Sequence, residues 1–136
     1  MPVVLVDAGP LVAVLDKSDT WHQRCRKTLE TLEGSLLTVW PVLAEASYLL
    51  RTSIQAQSRL LNWIQNGSVQ LAALDREDLP RIRELMAKYH DLPMDLADAA
   101  IVQVAEREQI NHVFTTDRQD FRIYRPARIG HFILLP

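Results

Sequence analysis

The sequence predicts an α/β fold, a three-layer α/β/α sandwich on a mainly parallel central sheet, from three observations. Short apolar, β-branched runs alternate with longer segments of helical spacing; the runs are continuously apolar, as strands covered on both faces must be; and acids stand where those runs end. Hydrophobic residues at 48% and charged residues at 24% are ordinary for a folded chain. A domain of 136 residues hides roughly two thirds of the surface its unfolded chain exposes, so residues 1–136 are expected to form a single domain with a real core.

Val3 to Val6 reads as the first strand, with Asp7 at its carboxyl end, and Pro10 suits the first turn of a helix through about Leu15. Asp19 or Thr20 offers an N-cap for a second helix through about Leu32, on which Trp21, Cys25, Leu29 and Leu32 fall at helical spacing. Leu36 to Val39 is the second strand. Pro41 opens a helix with Val42, Ala46, Leu49 and Leu50 on its apolar face, and Ser58 to Ile64 continues as helix until Asn66-Gly67 ends it. Val69 to Leu74 is the third strand. Asp78 to Tyr89 is helical, with Pro80 in the first turn. Pro93 precedes a helix to about Glu108, and Val113 to Thr116 is a fourth strand ending at Asp117. A short turn around Phe121 and a final strand near Ile129 to Leu134 complete the order.

Several function classes are disfavoured at once. The lone Cys25 cannot form an internal disulfide, and no Cys/His set has zinc-site spacing, which fits a reducing cytoplasmic setting. The start MPVVLVDAGP has no positive leader and only a short apolar run, so neither a signal peptide nor a membrane span is expected. A formal net charge of -2 gives no overall positive field; nucleic-acid binding would need a local patch. Arg118, Arg122, Arg125 and Arg128, interleaved with Phe121 and Tyr124, are the candidate patch, although taken alone such a run is better explained as a solvated surface with two anchoring aromatics. Gly-rich phosphate loops and nucleophile elbows are absent, and the four histidines are scattered.

The acids carry the chemistry. Ligands of open parallel sheets bind beyond the carboxyl ends of the strands, where Asp7 and Asp117 fall. Either acid alone is explained by helix capping or a turn. Glu45 and Asp98 are harder to explain that way, because each interrupts an apolar helical face, Val42/Glu45/Leu49 and Met94/Asp98/Ile101/Ala105, with no basic residue in helical reach. A divalent cation is the alternative partner, and a carboxylate-only set selects a hard ion, Mg²⁺ or Mn²⁺, suited to phosphodiester chemistry. Asp95, near the start of the same helix as Asp98, is favoured there by the helix dipole alone, and Asp120 reads as a cap or turn residue. Both remain secondary candidates, with Thr115 and Thr116, whose hydroxyls border Asp117.

In order, VVLVDAG, WPVLAEASYLL, LADAAIVQVA and VFTTDRQDF resemble the PIN-domain family, specifically its small VapC-like toxin ribonucleases, and the resemblance spans nearly the whole chain, including SDTWHQRC and the closing arginine-rich segment. It implies that Asp7, Glu45, Asp98 and Asp117 bind Mg²⁺ or Mn²⁺ and activate water to cut RNA, and that Thr115 matches the hydroxyl residue often found two positions before the last acid. It further implies a cytoplasmic endoribonuclease, the toxin of a type II toxin–antitoxin pair, inhibited by a cognate antitoxin and assembled as a homodimer. Trp40 departs from the small or hydroxyl residue that many members carry before the helix. Two other classes compete. An aspartate-nucleophile phosphatase would want a second acid two residues after Asp7, where Gly9 stands. A non-catalytic PIN-like domain binding RNA or a protein partner would use the acids only as caps, and a non-toxin PIN-like domain is the remaining alternative.

Overall fold

A computed structural model describes residues 2–136. Its five strands are β1 (Val3–Val6), β2 (Ser35–Thr38), β3 (Val69–Leu71), β4 (His112–Phe114) and β5 (Ile133–Leu135), all parallel, in the order β3-β2-β1-β4-β5. The helices are α1 (Ala8–Leu15), α2 (His22–Thr31), α3 (Trp40–Leu49), α4 (Ile54–Gln65), α5 (Leu79–Lys88), α6 (Leu96–Glu108) and α7 (Arg118–Ile123), with a 3-10 turn at Arg76–Asp78.

The central strand explains its own sequence. Val4, Leu5 and Val6 are at most 1% exposed because β1 has a neighbour on each side and helices on each face, so no position tolerates a polar side chain. Alternation along the strands sends Val6, Leu36, Val69 and Phe114 to one face, where they line a pocket together with Leu11 of α1, Leu29 of α2 and Trp63 of α4. On the opposite face Val3 and Leu37 border Arg107 and Ile110 at the end of α6. Each fully buried aliphatic side chain in this core, such as Leu5, Leu60, Leu85 or Ile101, contributes about 1.5–3 kcal/mol.

α6 is buried at Ala97 through Val102 and again at Val104 and Ala105, which its small side chains permit by letting neighbours approach closely. Two ion pairs fasten it to the preceding segment. Arg81 of α5 forks onto Glu106, with its Nε and Nη2 at 2.8 and 2.9 Å from the two carboxylate oxygens, and Arg107 donates to the buried Asp78 at 2.9 Å. Acids buried in this part of the protein therefore have cationic partners.

The expected elements stand, with boundary changes that have local causes. The helix opened by Pro41 does not run on to Ile64; it stops at Leu49, and Ser53 caps a new helix by accepting from the Ala56 N–H at 3.1 Å. β3 ends at Leu71, three residues early, ahead of the 3-10 turn that Asp75 and Asp78 cap reciprocally. The turn around Phe121 is a six-residue helix, α7. The last strand begins at Ile133 instead of Ile129, because Arg128 and Gly130 both take positive φ, 68° and 88°, and turn the chain first. Among the described residues no helix is long and apolar enough to cross a membrane.

Candidate active site

Parallel pairing brings the acids together. Val6 pairs with Phe114, so the next residue on each strand, Asp7 and Thr115, lie side by side at the carboxyl edge. Asp7 caps α1, Asp95 caps α6 and Asp117 caps α7, each carboxylate accepting a main-chain N–H at a helix start. Capping and cleft lining are thus the same placement: α1 and α7 follow strands and α6 leads back into β4, so all three helices start at the sheet's carboxyl edge. Asp7, Glu45, Asp95, Asp98, Asp117 and Asp120 line one cleft with Gly9 and Thr116.

Within it, Asp98, Asp117 and Asp120 each present an oxygen within 4.8 Å of the others. The four principal candidates share the cleft, but its tightest group includes Asp120, which α7 carries at its third position, and leaves Asp7 and Glu45 on the wall. Asp7 is fixed from both sides: Oδ1 accepts from Ala8 N at 2.8 Å, and Oδ2 accepts from the Thr115 hydroxyl at 3.0 Å. Thr115 in turn accepts from the Asp117 N–H at 3.0 Å. Asp95 accepts from the Asp98 N–H at 2.8 Å and stays exposed, as its helix-start role requires.

The electrostatics are those of unpaired acids. Burial pushes Asp98 up to about 8, with the Asp7 charge adding and the Tyr124 hydrogen bond opposing. Burial likewise raises Asp7 to about 6, against the hydrogen bonds from Ala8 and Thr115. Glu45 is raised by burial and by Asp7, Asp95 and Asp117; Asp117 is raised by burial and by the Asp120 charge, while the hydrogen bond from the Asp120 N–H opposes. Among the described residues, no lysine, arginine or histidine forms an ion pair with any of these acids, in contrast to Asp78 and Glu106. A dense oxygen-only donor set without a protein cation fits a hard divalent ion.

Tyr124 is the site residue that sequence reasoning missed. It reads as an anchoring aromatic, and it is fully buried, but its hydroxyl also donates to Asp98 Oδ2 at 2.8 Å. A contact spanning 26 residues has no local signal in the sequence. The four arginines are not part of the cleft lining. Arg118 donates to the Pro136 main-chain oxygen at 2.7 Å, Arg125 turns back onto the carbonyls of Arg122 and Tyr124, and Arg122 and Arg128 are exposed. Thr116 lies against Gly9, where a Cβ would come within 2.1 Å of its Oγ1. That clash leaves no room for the second acid an aspartate-nucleophile phosphatase would need there. His22 is buried, its Nδ1 2.7 Å from the Ala13 carbonyl, and Trp40 is 63% exposed at the start of α3.

The parallel sheet with acids from three helix starts at its carboxyl edge has the architecture of a PIN fold, and the chain belongs to that family: the family described as PIN domain matches residues 4–126. Ribonuclease VapC26 of Mycobacterium tuberculosis is 27% identical over 135 residues, covering 98% of this chain and 100% of that protein. Among solved structures, the M. tuberculosis toxin VapC20, described as cleaving the sarcin–ricin loop, superposes with a TM-score of 0.79 at 17% identity, over 85% of this chain and 91% of that one. VapBC2 of Rickettsia felis, bound to a promoter DNA fragment, gives a TM-score of 0.67 at 15% identity, over 98% and 99% of the two chains. A toxin–antitoxin complex from Klebsiella pneumoniae gives 0.67 at 15%, over 96% and 95%.

Proposed function

We propose that this protein is a metal-dependent endoribonuclease that hydrolyses RNA phosphodiester bonds and serves as the toxin of a type II toxin–antitoxin pair. The observation that carries the reading is the convergence of Asp98, Asp117 and Asp120, with Asp7 and Glu45 on the same cleft wall and no ion pair to any of them. Asp98, Asp117 and Asp120 are the residues that would hold Mg²⁺ or Mn²⁺, with Asp7 beside them. When bound, such an ion supplies charge neutralisation at a phosphate and a more acidic water. Asp7, locked by two hydrogen bonds, keeps the Asp117 loop in place through Thr115. Glu45, half-buried and raised in pKa, orients the attacking water by accepting its hydrogen bond.

The names of the relatives support RNA as substrate and an antitoxin as partner; a cytoplasmic homodimer is part of this proposal and follows from the sequence resemblance alone. Arg122 and Arg128, exposed and without an ion pair among the described residues, are the freest of the four arginines to meet RNA phosphates; Arg118 and Arg125 contribute by shaping that surface. The test is Asp98→Asn. It keeps the side-chain volume while removing the charge, so RNA cleavage and growth toxicity should disappear while the protein stays folded by circular dichroism. Cleavage at the wild-type rate by purified D98N protein would overturn the catalytic reading.

A further inference from the structure

We infer that Tyr124 is a positioning residue for this metal site: its buried hydroxyl holds one oxygen of Asp98 and leaves the other to the cleft. The inference rests on the metal-dependent reading proposed above. Oδ2 of Asp98 is taken by the Tyr124 hydroxyl at 2.8 Å, and Oδ1 has no hydrogen-bond partner among the described residues. Because no buried side-chain oxygen among the described residues lacks a partner, Oδ1 reaches solvent. One carboxylate thus has one bonded and one open oxygen, and a fixed donor on the first sets the plane in which the second is offered.

The donor is itself rigidly placed. The Tyr124 ring meets Tyr89 and Phe121 edge-on, at centroid distances of 5.0 and 5.1 Å, and the Tyr89 hydroxyl accepts from the Arg125 N–H at 2.9 Å. Tyr124 also closes α7, its N–H donating to the Asp120 carbonyl at 3.1 Å. One short helix therefore carries Asp117 at its start, Asp120 in its first turn and Tyr124 at its end, and all three act on Asp98 of α6: two place oxygens near it and the third fixes its orientation. The distance between the acids is set by α7, and Tyr124 couples the carboxylate of α6 to that helix.

The test measures Mn²⁺ affinity by calorimetry on the full chain without RNA. Wild-type protein binds, and Tyr124→Phe binds about 10-fold or more weakly. In an Asp98→Asn background the Tyr124→Phe change has no further effect on affinity. A role confined to packing would lower the metal-free melting temperature of Y124F and leave its Mn²⁺ affinity alone, and that result overturns the inference while sparing the proposed function. Absence of Mn²⁺ binding by wild-type protein overturns both.

Discussion

Thr115 donates its hydroxyl proton to Asp7 at 3.0 Å, and the same oxygen accepts the main-chain N–H of Asp117 at 3.0 Å. A single buried hydroxyl therefore spans the ends of two neighbouring strands and locates two acids at once. Thr115→Val keeps the shape and removes both bonds, leaving Asp7 and the Asp117 N–H short of a partner. The expected cost is about 1–3 kcal/mol in urea unfolding, with RNA cleavage reduced more than stability explains. A variant with wild-type stability and rate would show that the bridge is incidental.

The raised acids dictate how stability responds to pH. An acid whose folded-state pKa exceeds its unfolded value keeps its proton better when folded, so its contribution is most favourable below the unfolded value and is lost as pH rises toward the folded one. For Asp7 that window runs from 3.8 to about 6 and for Asp98 from 3.8 to about 8, and Glu45 and Asp117 shift in the same direction. Asp78 and Glu106, both lowered, act oppositely but only in the more acidic range near and below their ordinary values of 3.8 and 4.5. With chelator present, the melting temperature should fall between about pH 5 and pH 8, and millimolar Mn²⁺ should restore most of the loss at the upper end by binding the ionised cleft. A melting temperature that is flat or rising over that interval with chelator, or unmoved by Mn²⁺, contradicts the electrostatic account.

Gly9 faces Thr116 too closely for any side chain, a Cβ there falling 2.1 Å from Thr116 Oγ1. In an otherwise exposed helix, Gly→Ala gains up to about 1 kcal/mol of helix propensity. Here the sign should reverse, with Gly9→Ala costing about 1–3 kcal/mol through displacement of Thr116. Thr116→Ala removes Oγ1 but leaves Thr116 Cβ 3.3 Å from the added atom, so Gly9→Ala should cost less in the T116A background than in wild type. Thermal melts of the four proteins decide it; equal costs of G9A in both backgrounds would place the strain elsewhere.

Strand positions were legible because continuous apolar runs such as VVLV have few other uses in a chain that alternates them with helices. The cleft was legible at its edges, Asp7 and Asp117 from strand ends, Glu45 and Asp98 from charge on apolar faces. What escaped depended on short or distant geometry. The segment RQDFRI of α7 holds only two apolar residues, too few for a periodic signal, so Asp120 looked like a turn residue until Asp117 capped the helix and turned it inward. The break before α4 hinged on the Ser53 cap, and the Tyr124 contact joins elements far apart in sequence.

The contrast between acids with arginine partners beside α5 and acids without them at the cleft has an evolutionary side. Replacing Asp98 by a neutral residue of similar size should leave the metal-free chain more robust, since it removes a buried acid that folding must either keep protonated above its ordinary range or hold charged among like charges. Random drift under selection for folding alone would therefore erode this cleft early while preserving the Arg81–Glu106 and Asp78–Arg107 pairs. Lineages that escape the need for activity should be recognisable by which of these two sets of acids they have lost.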